Sequence, residues 1–378
     1  MVSQMPPSKS SVPLPSDVLR AELLGWHAYH VADSRGMVKL DAMENPYRLP
    51  ESVRAEMGRV LADAPIHRYP DPGATELVAV LKGALDVPDG MDLLLGNGSD
   101  ELIQILCQAV ARPGAAVMGL EPSFVMYRFA AEAAGCRFVG VPLTPDFQID
   151  LDALEAAILA HRPALLFLAY PNNPTGNLFP PAVVEQVLSA ATGLVVVDEA
   201  YHAFARQTFM DRLTRHPNLL VMRTLSKLGL AGVRLGVLAG RPSWIGELDK
   251  LRLPYNVNVL TQLAARFALE RLEMLTAQAA QILADRRYVV SALSAMSGVH
   301  VYPTDANFVL FRVRGAGKVF EGLKRRNVLI RKFTDGHPLL DECLRVTIGT
   351  HDENARFLDA LADVLPEMDT PVAIQSEG

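Results

Sequence analysis

Short apolar runs and helical periodicities alternate through the first two thirds of the chain. The runs at 92–95, 115–119, 137–141, 164–170, 194–197, 218–223 and 234–239 are largely apolar from end to end, which marks strands buried on both faces. Between them, 100–111, 124–134, 151–161 and 180–191 carry helical spacing. Strand–helix alternation predicts βαβ units and an α/β fold on a mostly parallel sheet. In such sheets functional groups collect at the carboxyl ends of strands, and several polar motifs of this chain fall at strand ends.

The pattern changes after Pro254. Two long helices are predicted at 259–270 and 273–296, then strands at 307–313 and 345–348 with a helix at 317–326. This reads as a smaller α+β domain. The resulting division is a lead-in at 1–15, a large domain at 46–258, a small domain made of 16–45 with 259–367, and a tail at 368–378. The lead-in holds eight Ser or Pro and is expected to be disordered. The tail has no periodicity. No internal repeat or heptad array is present.

Composition narrows the class. Half of the 378 residues are hydrophobic and 21% are charged, with 36 Lys+Arg against 42 Asp+Glu and a net charge of −6. That is an ordinary globular protein, and its acidity weighs against nucleic-acid or anionic-membrane partners. Three cysteines without a CxxC pair make neither a disulfide framework nor a zinc site. No metal is expected. Buried thiols, no secretory leader and no bilayer-length apolar run point to the cytoplasm.

Familiar motifs fail. The segment GNGSDE at 96–101 has Glu101 where a dinucleotide fingerprint needs its third glycine, and no P-loop, zincin or nucleophile-elbow motif occurs. Four segments nevertheless carry chemistry together. GNGSDE between a strand and a helix offers backbone N–H groups to an anion, although Ser99 or Asp100 would also serve as a plain N-cap. YPNNPTG at 170–176 is a rigid turn able to hold an Asn amide at a strand end. In VDEAY at 197–201, Asp198 follows an apolar run, and a poorly solvated carboxylate needs a partner such as a cationic ring nitrogen. In TLSKLGLAGVR at 224–234, Lys227 lies in a loop between two strands. A desolvated lysine is a Schiff-base nucleophile, and Ser226 and Arg234 offer donors to a phosphate. Each segment alone has a bland explanation as a turn, a cap or a solvated charge. Together they meet the needs of pyridoxal 5′-phosphate.

From about residue 38 to 365 the chain resembles the fold-type-I pyridoxal-phosphate aminotransferases, and within them the histidinol-phosphate aminotransferases. The resemblance rests on those segments and on KLDAMENPY at 39–47, RYPD at 68–71 and LRVTIGT at 344–350. It implies a seven-stranded, mostly parallel sheet. It implies that Lys227 takes the cofactor aldehyde as a Schiff base and shuttles the substrate proton, and that Asp198 partners the pyridinium. Asn173 and Tyr201 would donate to the ring oxygen, with Tyr201 also catalytic. Phe124 would stack on the ring where many relatives have tyrosine. Ser99, Asp100, Ser226 and Arg234 would cradle the phosphate. Tyr69 would reach the phosphate of a neighbouring subunit, which implies a homodimer with shared sites. Arg345 would grip the substrate carboxylate and Arg331 the substrate phosphate, while Tyr29 and Asn45 would close over the substrate.

The implied reaction is ping-pong transamination between L-histidinol phosphate and 2-oxoglutarate, giving imidazole-acetol phosphate and L-glutamate, in histidine biosynthesis. Aromatic amino-acid transamination, phosphothreonine-type decarboxylation and a non-enzymatic cofactor-binding regulator are the competing expectations. The last lacks an appended DNA-binding segment.

Overall fold

The computed structural model describes residues 13–28, 31–333 and 336–367. Tyr29, residues 1–12 of the expected lead-in and the 368–378 tail lie outside the described residues. The chain separates into two compact units, 1–35 and 36–378. Within the first, two four-residue helices, Pro15–Val18 and Ala21–Leu24, bury none of their residues. The expected disorder is therefore corrected at Pro15, which opens a helix at a position where proline's fixed φ suits the first turn.

The second unit opens with β1 (Val38–Lys39). Then come β2 (Asp92–Asn97), β3 (Ala116–Glu121), β4 (Arg137–Pro142), β5 (Leu165–Ala169), β6 (Leu194–Asp198), β7 (Leu219–Thr224) and β8 (Leu235–Gly240). These last seven form one sheet in the order β2-β8-β7-β6-β5-β3-β4. The α/β, mostly parallel expectation holds: β7, β6, β5, β3 and β4 pair in parallel, and only β8 runs against its two neighbours. Every residue of β5, β6, β7 and β8 is buried. Helices cover both faces, and this explains the uninterrupted apolar runs.

Because β8 is reversed, its first residue meets the last residue of β2, in the pairing Asn97↔Leu235. The carboxyl ends of β2, β3, β5, β6 and β7 and the amino end of β8 therefore share one edge. That edge receives GNGSDE, the turn after Ala169, Asp198, the Lys227 segment and Arg234.

Beyond the helices Val259–Leu269 and Leu272–Ser294, β9 (Val299–Val301), β10 (Phe308–Val313), β11 (Val328–Leu329), β12 (Arg331–Lys332) and β13 (Cys343–Thr347) follow. An antiparallel sheet runs β12-β13-β10-β9, and β1 pairs with β11. The core of this part packs Phe308, Phe311 and Val346 against Ile282 of the long helix and Phe357 and Leu361 of the helix His351–Glu367.

Within the second unit, four α-helices were not expected from the pattern: Glu51–Ala62, Thr75–Ala84, Pro242–Asp249 and His351–Glu367. The first buries no residue fully; its apolar positions Val53, Met57, Val60 and Leu61 stand at helical spacing but are only half-buried. The expected loop at Lys227 is also corrected. Residues Ser226–Leu230 form a π-helical turn and Ala231–Val233 a 3₁₀ turn, with Gly229 at φ 126° relieving the join.

Candidate active site

At the shared edge lies a cavity of about 410 Å³ lined by Ser99, Asp100, Phe124, Asn173, Asp198, Tyr201, Ser226, Lys227 and Arg234, together with Tyr127, Thr224 and Ala42–Glu44. Nine residues singled out from sequence thus meet in one place.

The anion end is built first. Gly98 has φ 84°, and a Cβ there would sit 2.5 Å from Arg234 Nη2. Only glycine allows the guanidinium to lie against this turn. Gly98 is the N-cap of the helix Ser99–Val110 and has no side chain to cap with. The plain capping alternative for Ser99 and Asp100 is thereby corrected, since both are helical residues and their N–H groups open toward the cavity edge. Arg234 is itself at φ 53°. Its Nη1 lies 3.4 Å from Ser226 Oγ and its Nη2 3.6 Å from Asp100. Thr224 Oγ1 donates to Ser226 Oγ at 2.9 Å.

The turn after β5 divides labour between its asparagines. Asn172 is wholly engaged in bracing: Nδ2 donates to Pro122 O at 3.0 Å and Thr175 Oγ1 at 2.7 Å, and Oδ1 accepts from Ser123 Oγ at 2.8 Å. A Cβ at Gly176, φ 85°, would lie 2.6 Å from Thr304 Oγ1. The next residue, Asn173, accepts at Oδ1 from Arg345 Nη1. With the oxygen so used, its amide nitrogen is the atom left to donate into the cavity.

Asp198 ends β6 in full burial. Tyr127 Oη donates to its Oδ2 at 2.6 Å and the Ala200 N–H to its Oδ1 at 3.0 Å. Burial outweighs these donors and pushes the carboxyl up to about 6. Behind it, Glu199 is fully buried and paired with Arg223 at 2.9 Å. Arg223 also donates to Leu85 O and Thr208 Oγ1, and Glu199 accepts from Thr208 Oγ1 and the Phe209 N–H. A buried ion pair this fully hydrogen-bonded anchors the ends of β6 and β7. Burial also raises Tyr201, whose ring meets Phe308 edge-on at 5.1 Å.

Lys227 Nζ donates to Ala42 O at 3.0 Å. Burial, and then the positive charge of Arg345, lower it from 10.5 to about 8. The amine is therefore available in neutral form near physiological pH.

Arg345 does not line the cavity wall but reaches it through Asn173, and its Nη2 donates to Asp41 O at 3.0 Å. Arg331 stands directly opposite it across the β12–β13 pairing. Directly opposed positions share a face, and like charges there repel, so an anion between them would be stabilising. The Asn45 contact expected at the substrate is elsewhere. The Asn45 amide donates to Leu228 O and Gln278 Oε1, both at 3.1 Å, and so braces the Lys227 segment. Tyr69 is 80% exposed and stacked on Tyr255 at 4.5 Å, outside the cavity.

Tyr127 and the Glu199–Arg223 pair were not expected from sequence. The signal for the first is its place one turn after Phe124; for the second, an arginine near the end of an otherwise apolar strand.

The donor set suits a phosphorylated pyridine aldehyde. A primary amine, a buried carboxylate, an aromatic face and a guanidinium-plus-amide cradle surround one space, and no cluster of metal-binding side chains exists among the described residues. The three cysteines are free and buried.

The family described as Aminotransferase class I and II matches residues 35–361. A histidinol-phosphate aminotransferase 2 of Cupriavidus pinatubonensis is 54% identical over 93% of this chain and 97% of its own length. A histidinol-phosphate aminotransferase 1 of Ralstonia nicotianae is 53% identical over 94% and 96%. The crystal structure of the Sinorhizobium meliloti histidinol-phosphate aminotransferase in complex with pyridoxal-5′-phosphate superposes with a TM-score of 0.79, at 26% identity over 87% of this chain and 91% of that one.

Proposed function

The chain belongs to the class I and II aminotransferases, among the histidinol-phosphate aminotransferases, and from that premise we propose how its residues divide the work. It is a pyridoxal-phosphate-dependent transaminase of histidine biosynthesis that interconverts L-histidinol phosphate and 2-oxoglutarate with imidazole-acetol phosphate and L-glutamate. The cofactor, when bound, supplies an electron sink and carries the amino group between two half-reactions.

In our reading Lys227 Nζ anchors the aldehyde and then, as a free amine, takes the proton from the substrate α-carbon and returns it. Asp198 keeps its negative charge against the ring nitrogen. The Asn173 amide nitrogen and the Tyr201 hydroxyl donate to the ring oxygen, and Phe124 covers one face. Arg234, the Ser226 hydroxyl and the N–H groups of Ser99 and Asp100 bind the phosphate. The observation that carries the substrate reading is the Arg331–Arg345 opposition, with Arg345 tied to Asn173. One guanidinium fork suits a carboxylate of glutamate or 2-oxoglutarate and the other the phosphate monoester of histidinol phosphate.

The test is a panel of amino donors with 2-oxoglutarate. Histidinol phosphate is the expected favoured donor over tyrosine and phenylalanine. Arg331→Ala should lower kcat/KM for histidinol phosphate by about 10²-fold, the value of one charge-assisted pair, and that for unphosphorylated histidinol by far less. Equal losses on both would overturn the phosphate role.

The homodimer and the cytoplasmic setting belong to the same reading. Exposed Ile66, Tyr69, Leu253 and Tyr255 support a covered surface, and three buried thiols suit a reducing compartment. Among the described residues no helix is long and apolar enough to cross a membrane. If Tyr69 completes the neighbour's site, Tyr69→Ala and Lys227→Ala proteins, each impaired, should regain activity when dissociated and re-associated together. Random pairing gives about a quarter of sites both residues. No recovery in the mixture would place Tyr69 outside the site.

A further inference from the structure

Tyr127 is the one cavity-lining side chain whose polar atom is spent entirely on Asp198. Its ring is fully buried and lies flat on Phe167 of β5, with centroids 4.5 Å apart and planes 1° apart. It also meets Phe124 in a T-shaped contact at 5.5 Å and 85°. The two aromatic contacts hold the ring, so the direction of its hydroxyl is held as well. That hydroxyl donates to Asp198 Oδ2 at 2.6 Å, a short distance of the charge-assisted kind.

We propose that Tyr127 is a positioning residue for the transamination reaction: it holds Asp198 charged and aimed at the cofactor's ring nitrogen, and it seats Phe124 against the cofactor's face. The proposal rests on Asp198 being the ring-nitrogen partner.

The electrostatic need is visible around the carboxylate. Burial, Asp100 and Glu199 all favour its neutral form, while only the Tyr127 hydroxyl and the Ala200 N–H favour the anion. Glu199 is already matched by Arg223, and Tyr201 is the remaining titratable neighbour. Taking away the hydroxyl removes one of two stabilising donors and moves the titration of Asp198 upward. An aspartate neutral at working pH leaves the ring nitrogen without its counter-charge.

The variant is Tyr127→Phe, which keeps both aromatic contacts and deletes only the oxygen. Ligand-free protein is titrated with pyridoxal phosphate by absorbance between pH 5 and 9. The expected result is about a tenfold weaker Kd at neutral pH, with the acid limb of the affinity profile displaced to higher pH. The same substitution in an Asp198→Asn background should change Kd less than about twofold, because the partner charge is gone. Equal losses in both backgrounds would mean that Tyr127 acts through packing alone, and would overturn the proposal. An unchanged Kd for Tyr127→Phe beside a weakened Asp198→Asn would also overturn it, while leaving the ring-nitrogen assignment intact. An unchanged Kd for Asp198→Asn itself would overturn both. Thermal melting of each ligand-free variant verifies that the fold is kept.

Discussion

Lys227→Ala is expected to lower transamination by at least about 10⁴-fold, the upper end of what a positioned proton-transfer group supplies, because the proposed reaction uses this amine as both anchor and base. The visible absorbance of the purified protein should vanish from its covalent form. Borohydride treatment, which should fix the cofactor's mass on a Lys227 peptide in the native protein, should leave the variant unlabelled. Lys227→Arg should behave alike, since a guanidinium keeps the charge without a neutral amine.

The same residue sets a pH dependence. Only the uncharged amine is nucleophilic, and Lys227 is held at about 8 by burial first and Arg345 second. Cofactor capture by ligand-free protein should therefore level off above pH 8 and fall about tenfold per unit well below it. Arg345→Ala removes the cation that lowers it most and should move that limb to higher pH. A Lys227→Ala protein that stays yellow and active would overturn the assignment, and a capture rate independent of pH from 6 to 9 would overturn the titration.

Much of this site is legible in the amino-acid sequence because its groups follow apolar strands in the chain. Asp198 and the 170–176 turn each end a run too apolar to be anything but a central strand, so their placement at a sheet edge follows from the topology. Ser226, Lys227 and Arg234 lie on one short connection between two such strands, which keeps them together however that connection is built. The form of the connection is not legible, because a π turn relieved by Gly229 has no periodicity of its own.

What the sequence hides depends on contacts between distant segments. Nothing near Asn173 announces that Arg345 takes its oxygen, 172 residues later. Nothing near Asn45 shows that its amide is used on Leu228 and Gln278. Tyr127 sits within one turn of Phe124, but its role needs the packing that lays it on Phe167 of β5 with its hydroxyl at Asp198. The helix His351–Glu367 is a different case: Asn354, Phe357, Leu361 and Val364 are buried at helical spacing, so the stripe that predicts it is present in the sequence.

Asp198→Asn should separate function from stability. Turnover is expected to fall on the order of 10³-fold, the scale for removing one preorganised charge from a desolvated site, and cofactor affinity should fall with it. Ligand-free protein should respond in the opposite sense above pH 7. The Asp198 carboxyl is raised from 3.8 to about 6, chiefly by burial. Below pH 3.8 it is protonated in both folded and unfolded chains. Between 3.8 and 6 the folded chain holds the extra proton, so stability falls as pH rises through this window. Above 6 both forms are charged, and the folded one bears the full burial cost, about 3 kcal/mol at most.

An isosteric amide removes that cost. It gives back part of the gain, because the Tyr127 hydroxyl and the Ala200 N–H then meet a neutral partner. The net expectation is about 1–2 kcal/mol of added stability at pH 8, a few degrees in Tm, and no difference near pH 4. Saturating pyridoxal phosphate should reverse the ranking, since native protein binds it more tightly and is stabilised in proportion. A ligand-free Asp198→Asn protein that melts below native at pH 8 would show that the carboxylate is a net structural asset. Unchanged turnover would remove Asp198 from the mechanism. The expected pattern is that of a charge kept in the core at a cost, and compensated only when the cofactor's ring nitrogen arrives.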